Sequence, residues 1–193
     1  MSQLKTNSIT HVDNTGDENL ILSADGTTTV PSGGKVVGYQ TGLWVPDLRG
    51  GTTDGSYDYT NGQNGFWSRI GKTVNVIFRI YRVTTNTAGT GSLVIEGIPY
   101  NLDPSQGTNV SVGAARLTNV GLRSTTQSVC SQVSDSTNRL SFTEIMDDGN
   151  SYTLQMTSLY TGDTETAKSS LYANVTYMTD DTTWQPLNGA TVE

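Results

Sequence analysis

Alternating hydrophobic and polar positions along the chain predict β-strands. The clearest stretch is Thr73–Val83, where Val74, Val76, Phe78 and Ile80 lie on one face and Asn75, Ile77, Arg79 and Tyr81 on the other. The second face mixes apolar and charged residues, so we expect a neighbouring surface to cover part of it. No segment of a dozen residues repeats apolar positions at a helical spacing, which argues against long helices.

Seven further strands are predicted after this region, separated by turn-forming residues at 86–91, 101–107, 147–150 and 160–163. They cover residues 92–96, 110–114, 117–122, 128–133, 139–145, 152–157 and 171–178. About eight strands at this spacing favour an all-β, jelly-roll-like antiparallel β-sandwich. The spacing alone does not separate a jelly roll from an immunoglobulin-like sandwich, although the Cys–Trp–Cys pattern of the latter is absent.

The chain has weak apolar content before Pro31–Gly34 and frequent strand patterns after it. This change predicts an N-terminal arm, 1–34, and a sandwich domain, 35–193. Within the arm, 19–23 and 27–30 are strand-like and flank Asp25-Gly26, which predicts a hairpin. So short a segment cannot bury a core of its own, so it must pack on a partner surface, pack on copies of itself or stay loose. Of these we expect a role in attachment or trimerisation. Its candidate attachment residues are Leu4, Ile9, Leu20, Leu22 and Val30.

Composition and charge narrow the set of partners. Thr, Ser, Asn and Gly fill 85 of the 193 positions, and the net charge is −7. An acidic chain without a Lys/Arg cluster is unsuited to binding the phosphate backbone of a nucleic acid. No stretch is apolar and long enough to cross a membrane, and the first residues lack the apolar core of a secretory signal. Cys130 is the single cysteine, so we expect no internal disulfide. We expect its side chain to be buried as a small hydrophobic group.

The residues that could carry catalysis or bind metal are sparse. The single histidine, His11, lies in the arm, which leaves no base for a Ser-His-Asp arrangement in the sandwich. A glycosidase needs two carboxylates across a groove, and Glu96 and Glu144 lie in predicted strands. Glutamates in such strands ordinarily lie on a solvent-exposed face and have no catalytic role. Acidic turns such as Asp147–Asn150 offer oxygen ligands but match no EF-hand spacing. We therefore predict no enzymatic activity, no cofactor and no metal ion.

The best binding candidate is the aromatic-rich segment 56–67, interpreted as a loop. Its Tyr57, Tyr59 and Trp67 could contact a glycan or a protein partner, because aromatic faces beside Asp and Asn side chains suit a sugar-binding groove. The alternative is that Phe66 and Trp67 anchor the next strand in the core while the tyrosines line a subunit interface.

Three stretches resemble a known module: Gly42–Leu48, Tyr59 with Gly65–Val76, and Gly89–Pro99. Together they are similar to the C-terminal β-rich module of bacteriophage tail fibres, head fibres and related virion surface proteins. Phe66 and Trp67 stand where that module usually has one aromatic residue, and Ile98 stands for its leucine. Segments 4–9 and 23–31 also resemble phage structural proteins, especially those of phages that infect cyanobacteria.

The resemblance implies a homotrimer with a jelly-roll-like head on the outer surface of a virion, made in the host cytoplasm. On that basis we expect a structural virion protein, a capsid decoration (cement) protein that binds the major capsid protein or another virion protein through its arm. The alternative is a receptor-binding short tail fibre or head fibre that recognises a host cell-surface glycan. A polysaccharide-cleaving tailspike is a third class, disfavoured by the short chain and the few candidate acids.

Overall fold

A computed structural model of the chain describes residues 8–9, 20–22, 28–29, 38–106, 111–134, 138–160, 164 and 166–193. The strands in this part are β1 (Ser8–Ile9), β2 (Leu20–Leu22), β3 (Thr28–Thr29), β4 (Tyr39–Trp44), β5 (Asp47–Gly50), β6 (Ser56–Tyr59), β7 (Gln63–Ile70), β8 (Thr73–Ile80), β9 (Val83–Thr87), β10 (Leu93–Glu96), β11 (Ser111–Thr118), β12 (Thr126–Ser134), β13 (Arg139–Met146), β14 (Ser151–Thr153), β15 (Ser170–Met178) and β16 (Thr191–Val192). Helix in the same residues is limited to the 3₁₀ turns Pro104–Gln106 and Met156–Ser158.

The chain divides into two compact units, Met1–Tyr39 and Gln40–Glu193, where the sequence predicted a boundary between 34 and 35. In the first unit β1, β2 and β3 form an antiparallel sheet, with Leu22 opposite Thr28. The predicted hairpin around Asp25-Gly26 is therefore confirmed at its strands. Of the candidate attachment residues, Leu4 and Val30 lie outside the described residues, and only the backbone is described for Ile9, Leu20 and Leu22.

The second unit is a sandwich made by one long antiparallel sheet that folds over onto itself. Its strand order is β16-β4-β7-β8-β15-β11-β12-β13-β10-β5, with β14 paired to β13. We call β16-β4-β7-β8-β15-β11 the front sheet and β11-β12-β13-β10-β5 the back sheet, with β11 belonging to both. The strands β6 and β9 pair separately.

The core lies between the two sheets and confirms the predicted register of β8. Val74, Val76, Phe78 and Ile80 are all buried, whereas Ile77 and Arg79 are exposed. The Phe78 ring packs edge-on against Trp44 of the front sheet, with ring centroids 5.8 Å apart. It also packs against Phe142 of the back sheet, at 6.3 Å. Phe78 therefore sits where both layers meet.

The front and back sheets are joined through β11. Residues Ser111–Ala114 pair with β12, and Ala115–Thr118 pair with β15. At the crossing a Cβ atom on Gly113 would lie 1.7 Å from the carbonyl oxygen of Asn174, so this close backbone approach requires glycine. The sequence predicted two strands here, 110–114 and 117–122. One continuous strand that changes partner replaces them.

The structure also differs from the sequence-based prediction in segments rich in Thr, Asn and Gly. The segment predicted as an aromatic loop contains β6 and most of β7, with a turn at Asn61-Gly62, both at positive φ. The predicted strand 152–157 is instead the short β14 followed by a 3₁₀ turn. Cys130, expected to be buried, is half-buried. The all-β, antiparallel fold class is confirmed, while the jelly-roll topology and the trimer stay predictions.

Candidate functional site

The predicted contact residues Tyr57 and Tyr59 are half-buried. The Tyr57 hydroxyl accepts a hydrogen bond from the backbone N–H of Gly89 at 2.7 Å. The Tyr59 hydroxyl accepts one from Leu48 at 3.4 Å, and burial raises the pKa of Tyr59 to about 12. Both rings pack against the hydrophobic core. Both hydroxyls thus bond to their own chain, and a glycan or partner contact at either ring stays a prediction.

Trp67 is not available to a ligand, so this part of the prediction is wrong. Its side chain is 3% exposed, and its Nε1–H donates to the carbonyl of Thr191 at 3.2 Å. The alternation of β7 turns Gly65, Trp67 and Arg69 inward and Phe66 outward, where it is 55% exposed. The neighbouring aromatic residues thus have opposite roles: Trp67 anchors the strand and Phe66 lies on the surface.

A groove of about 630 Å³ lies on the outward face of the front sheet, across β7, β8, β15 and β11. Strand registers place its side chains in two parallel rows, about 7 Å apart because outward positions alternate along each strand. The upper row, read across the strands, is Asn64, Arg79, Tyr172 and Arg116. The lower row is Phe66, Ile77, Asn174 and Ala114.

The depth of the groove comes from the difference in size between its wall residues and its floor residues. Phe66 and Ile77 stand directly opposite each other and form an apolar wall, with Ile77 51% exposed. Ala114 and Asn174 form a lower floor, since the Asn174 Oδ1 accepts a hydrogen bond from the Ala114 backbone N–H at 2.9 Å. This bond holds the Asn174 amide in place, with Nδ2 left as a donor at the exposed floor.

The upper row carries the positive charge of the groove. The Arg116 guanidinium lies 5.6 Å from the centre of the Tyr172 ring, and that of Arg79 lies 5.9 Å from the Tyr81 ring, both within cation–π range. Within the described residues neither Arg79 nor Arg116 forms an ion pair, although Arg49, Arg69, Arg123 and Arg139 all do. Two guanidinium groups therefore face solvent on an acidic protein.

The charge of the front sheet contrasts with that of the whole chain. Its six described strands contain no Asp or Glu, whereas the chain has 18 acidic residues and a net charge of −7. The third arginine in these strands, Arg69, turns inward and is 1% exposed. The outward face of the front sheet thus combines apolar and neutral polar side chains with two arginines and has no acidic residue within these strands.

Arg69 has a structural role. Its guanidinium lies between the rings of Tyr100 and Trp184, at 4.5 and 3.9 Å from their centres, and its Nη1 contacts Asp181 Oδ1 at 2.9 Å. Burial works against ionisation of Asp181, but the hydrogen bonds from Arg69, Thr183 and Trp184 outweigh it and lower the pKa of that carboxyl. This cluster ties the segment after β15 to the end of β7.

The carboxylates considered for catalysis are also engaged. Glu96 pairs with Arg139 at 2.5 Å, at the back sheet. Glu144 is 2% exposed, where it accepts hydrogen bonds from the Arg123 backbone N–H and from Thr126 Oγ1 at 2.9 and 2.6 Å. His11 lies outside the described residues. Neither glutamate faces the groove.

In the described ranges no three His, Cys, Asp or Glu side chains come together as metal ligands. In the turn Asp147–Asn150, Asp148 accepts hydrogen bonds from the backbone and side chain of Asn150, as a turn-forming residue does. None of the described helices has the length and apolarity to cross a membrane.

Sequence reasoning missed most of the groove. The mixed outward face of β8, with Ile77 beside Arg79, was its visible signal, and we expected that face to be covered by a neighbour. The remaining members come from strands up to 100 residues away in sequence, so no local pattern joins them.

No family model matches the chain, and no curated protein matches it. Among solved structures, the chain is similar to the crystal structure of the Dettilon tailspike protein, with a TM-score of 0.51 and 15% sequence identity. The match covers 72% of this chain and 24% of the tailspike chain, so this chain spans about a quarter of that protein's length. At this identity the match establishes a shared fold. It agrees with the resemblance to virion surface proteins and gives no support to the expected likeness to cyanobacterial phages.

Proposed function

We propose that this chain is a structural protein on the outer surface of a phage particle, part of a tail spike or fibre, and that it binds a host cell-surface glycan. The groove on the front sheet carries this proposal. Its volume lies in the range of small-ligand sites, and it combines an apolar wall with a few polar groups that can orient a bound molecule. The fold shared with a tailspike supports a place on the tail.

The chemistry of the groove suits a sugar ring. The C–H face of a pyranose packs on apolar and aromatic side chains, here Phe66 and Ile77, and its hydroxyls need donors and acceptors around them. Asn64 and the Nδ2 group of Asn174 supply such groups. We propose binding without cleavage, because the strand glutamates are held in other contacts and away from this face.

Binding tests this proposal directly. The full chain is applied to an array of surface polysaccharides extracted from bacterial hosts, beside the variants Phe66→Ala and Ile77→Ala. Each variant removes part of the apolar wall, and we expect binding about tenfold weaker, as for loss of one well-packed contact residue. Thr73→Ala, exposed on the same face of β8 and outside the groove, is the control. Unchanged affinity in both groove variants contradicts the proposal.

Capsid decoration is the second candidate, favoured by the separate N-terminal unit. Its strands β1–β3 form a sheet of their own, and exposed strand edges can add to a partner's sheet. In this alternative a homotrimer binds the major capsid protein or another virion protein through the arm. Deleting Met1–Ser32 should then abolish attachment while the sandwich stays folded, and attachment at full occupancy would contradict it.

Electron cryo-microscopy of intact particles separates the two candidates. Density for the protein at the tail alone supports a spike or fibre. Density at many symmetric sites over the head supports decoration and contradicts the tail assignment. Both outcomes agree with the coarser proposal of a virion surface protein.

A further inference from the structure

The upper row of the groove has a chemistry that a neutral sugar would not require. Arg79 and Arg116 flank Tyr172 on adjacent strands, so their Cα atoms lie about 10 Å apart, two strand spacings. This separation matches the width of a sugar ring with its substituents. The Arg116 guanidinium lies against the Tyr172 ring and that of Arg79 against the Tyr81 ring, so two cationic groups border the groove along its upper row.

The surroundings strengthen that basic character. Because the front sheet contributes no Asp or Glu, no carboxylate of these strands neutralises the two guanidinium groups or repels an anion. Within the described residues, Arg79 and Arg116 have no carboxylate partner. Their guanidinium N–H groups can therefore donate hydrogen bonds to a ligand. Guanidinium groups bind carboxylates through paired, charge-assisted hydrogen bonds.

We propose that the groove recognises an anionic saccharide, a sugar that carries a carboxylate, with its ring face on Phe66 and Ile77 and its carboxylate at Arg79 and Arg116. The inference rests on the proposed function and names the class of glycan bound at that same groove. A chain of net charge −7 repels an acidic polysaccharide overall, and the arginines of the front sheet would orient this face toward the polysaccharide as the two approach.

The test uses a panel of uronic-acid oligosaccharides, each paired with its carboxyl-reduced, neutral form. Calorimetric titration of the full chain should give an affinity about tenfold or more higher for the acidic member, and the difference should shrink with added salt. Arg79→Gln and Arg116→Gln should each weaken binding of the acidic member about tenfold and leave binding of the neutral member within about twofold.

Lys72→Gln is the matched control, because it removes the same charge from an exposed residue about 23 Å along the chain from Arg79. It should change neither affinity. A Lys72→Gln effect equal to that of Arg79→Gln would show general attraction rather than a site and would overturn the inference.

The outcomes separate this inference from the proposed function. Equal affinity for acidic and reduced oligosaccharides, with loss of both in Phe66→Ala, overturns the anionic assignment and leaves glycan binding standing. Absence of binding to every acidic and neutral member overturns both. Thermal unfolding of each variant confirms that a lost affinity is not a lost fold.

Discussion

Two neighbouring residues on β8 should respond in opposite ways when each is shortened to alanine. Phe78 is 2% exposed and lies between Trp44 and Phe142, whereas Ile77 is 51% exposed on the outward face. We predict that Phe78→Ala greatly destabilises the sandwich. We predict that Ile77→Ala leaves its stability nearly unchanged and weakens ligand binding.

The magnitude for Phe78 follows from what the substitution removes. Withdrawing a buried phenyl group from the core costs about 2 kcal/mol in lost transfer free energy. The space it leaves is enclosed by both sheets and cannot collapse fully, which adds about 2 kcal/mol. We therefore expect a loss of about 4 kcal/mol. For Ile77, the cross-strand contact with Phe66 is the main loss, about 0.2–1 kcal/mol.

Urea unfolding followed by tryptophan fluorescence measures both values, because Trp44 contacts Phe78 directly and should report loss of the core. Similar losses in Phe78→Ala and Ile77→Ala would refute the register of β8. A shift of one residue exchanges the two faces, so a large loss for Ile77 with a small one for Phe78 would show that slip.

Further predictions concern the charged cluster, a buried tyrosine, the chain crossing and assembly. The folded-state pKa of Asp181 is lowered from 3.8, so its contribution to stability is present above that value and is lost as the pH falls through the folded pKa; Asp181→Asn should flatten this acid limb of a stability–pH curve, and an unaltered curve would contradict the cluster. Burial raises the pKa of Tyr59 to about 12, so the stability it contributes is present below pH 10 and declines as the pH rises from there. The pKa values of Tyr100 and Tyr177 are also raised, so spectroscopic titration of tyrosinate should show one late-titrating group fewer in Tyr59→Phe, and an unchanged number would contradict the burial of Tyr59. Gly113→Ala should cost about 1–3 kcal/mol, because a Cβ would meet the Asn174 carbonyl, and Gly149→Ala, with open space but a positive φ, gauges backbone strain alone; equal losses would contradict the close approach. Light scattering should give about three times the chain mass of 20.7 kDa if the protein is a homotrimer, and a mass of one chain at micromolar concentration would contradict it.

How much of this fold could be predicted from sequence depended on how far apart the deciding contacts are. The β8 register was predictable because Val74, Val76, Phe78 and Ile80 carry a complete period-2 signal within one strand. The places of Phe66 and Trp67 stayed open between two interpretations, because the same period in β7 points Arg69 inward, against its polarity. Arg69 is accommodated there by the rings of Tyr100 and Trp184 and by Asp181, 112 residues later.

The continuity of β11 was hidden for a related reason. Its central residues Gly113, Ala114 and Ala115 carry little hydrophobic signal, and their conformation follows from partners on two sheets. The groove lies at this same crossing, where Ala114 and Asn174 form the floor. Its residues share no local pattern, although each lies on a strand face that alternation alone could place.

Whether a host glycan occupies the groove of the front sheet can be read residue by residue when isotope-labelled protein is titrated with host-surface oligosaccharides. Backbone amide signals should shift in the groove-lining parts of β7, β8, β11 and β15, with the Asn174 side-chain amide among them, since its Nδ2 group lies at the floor. Signals of β6, which carries Tyr57 and Tyr59, should stay in place. Shifts centred on β6, or on the back sheet, with an unperturbed groove would contradict occupation of the groove by a glycan.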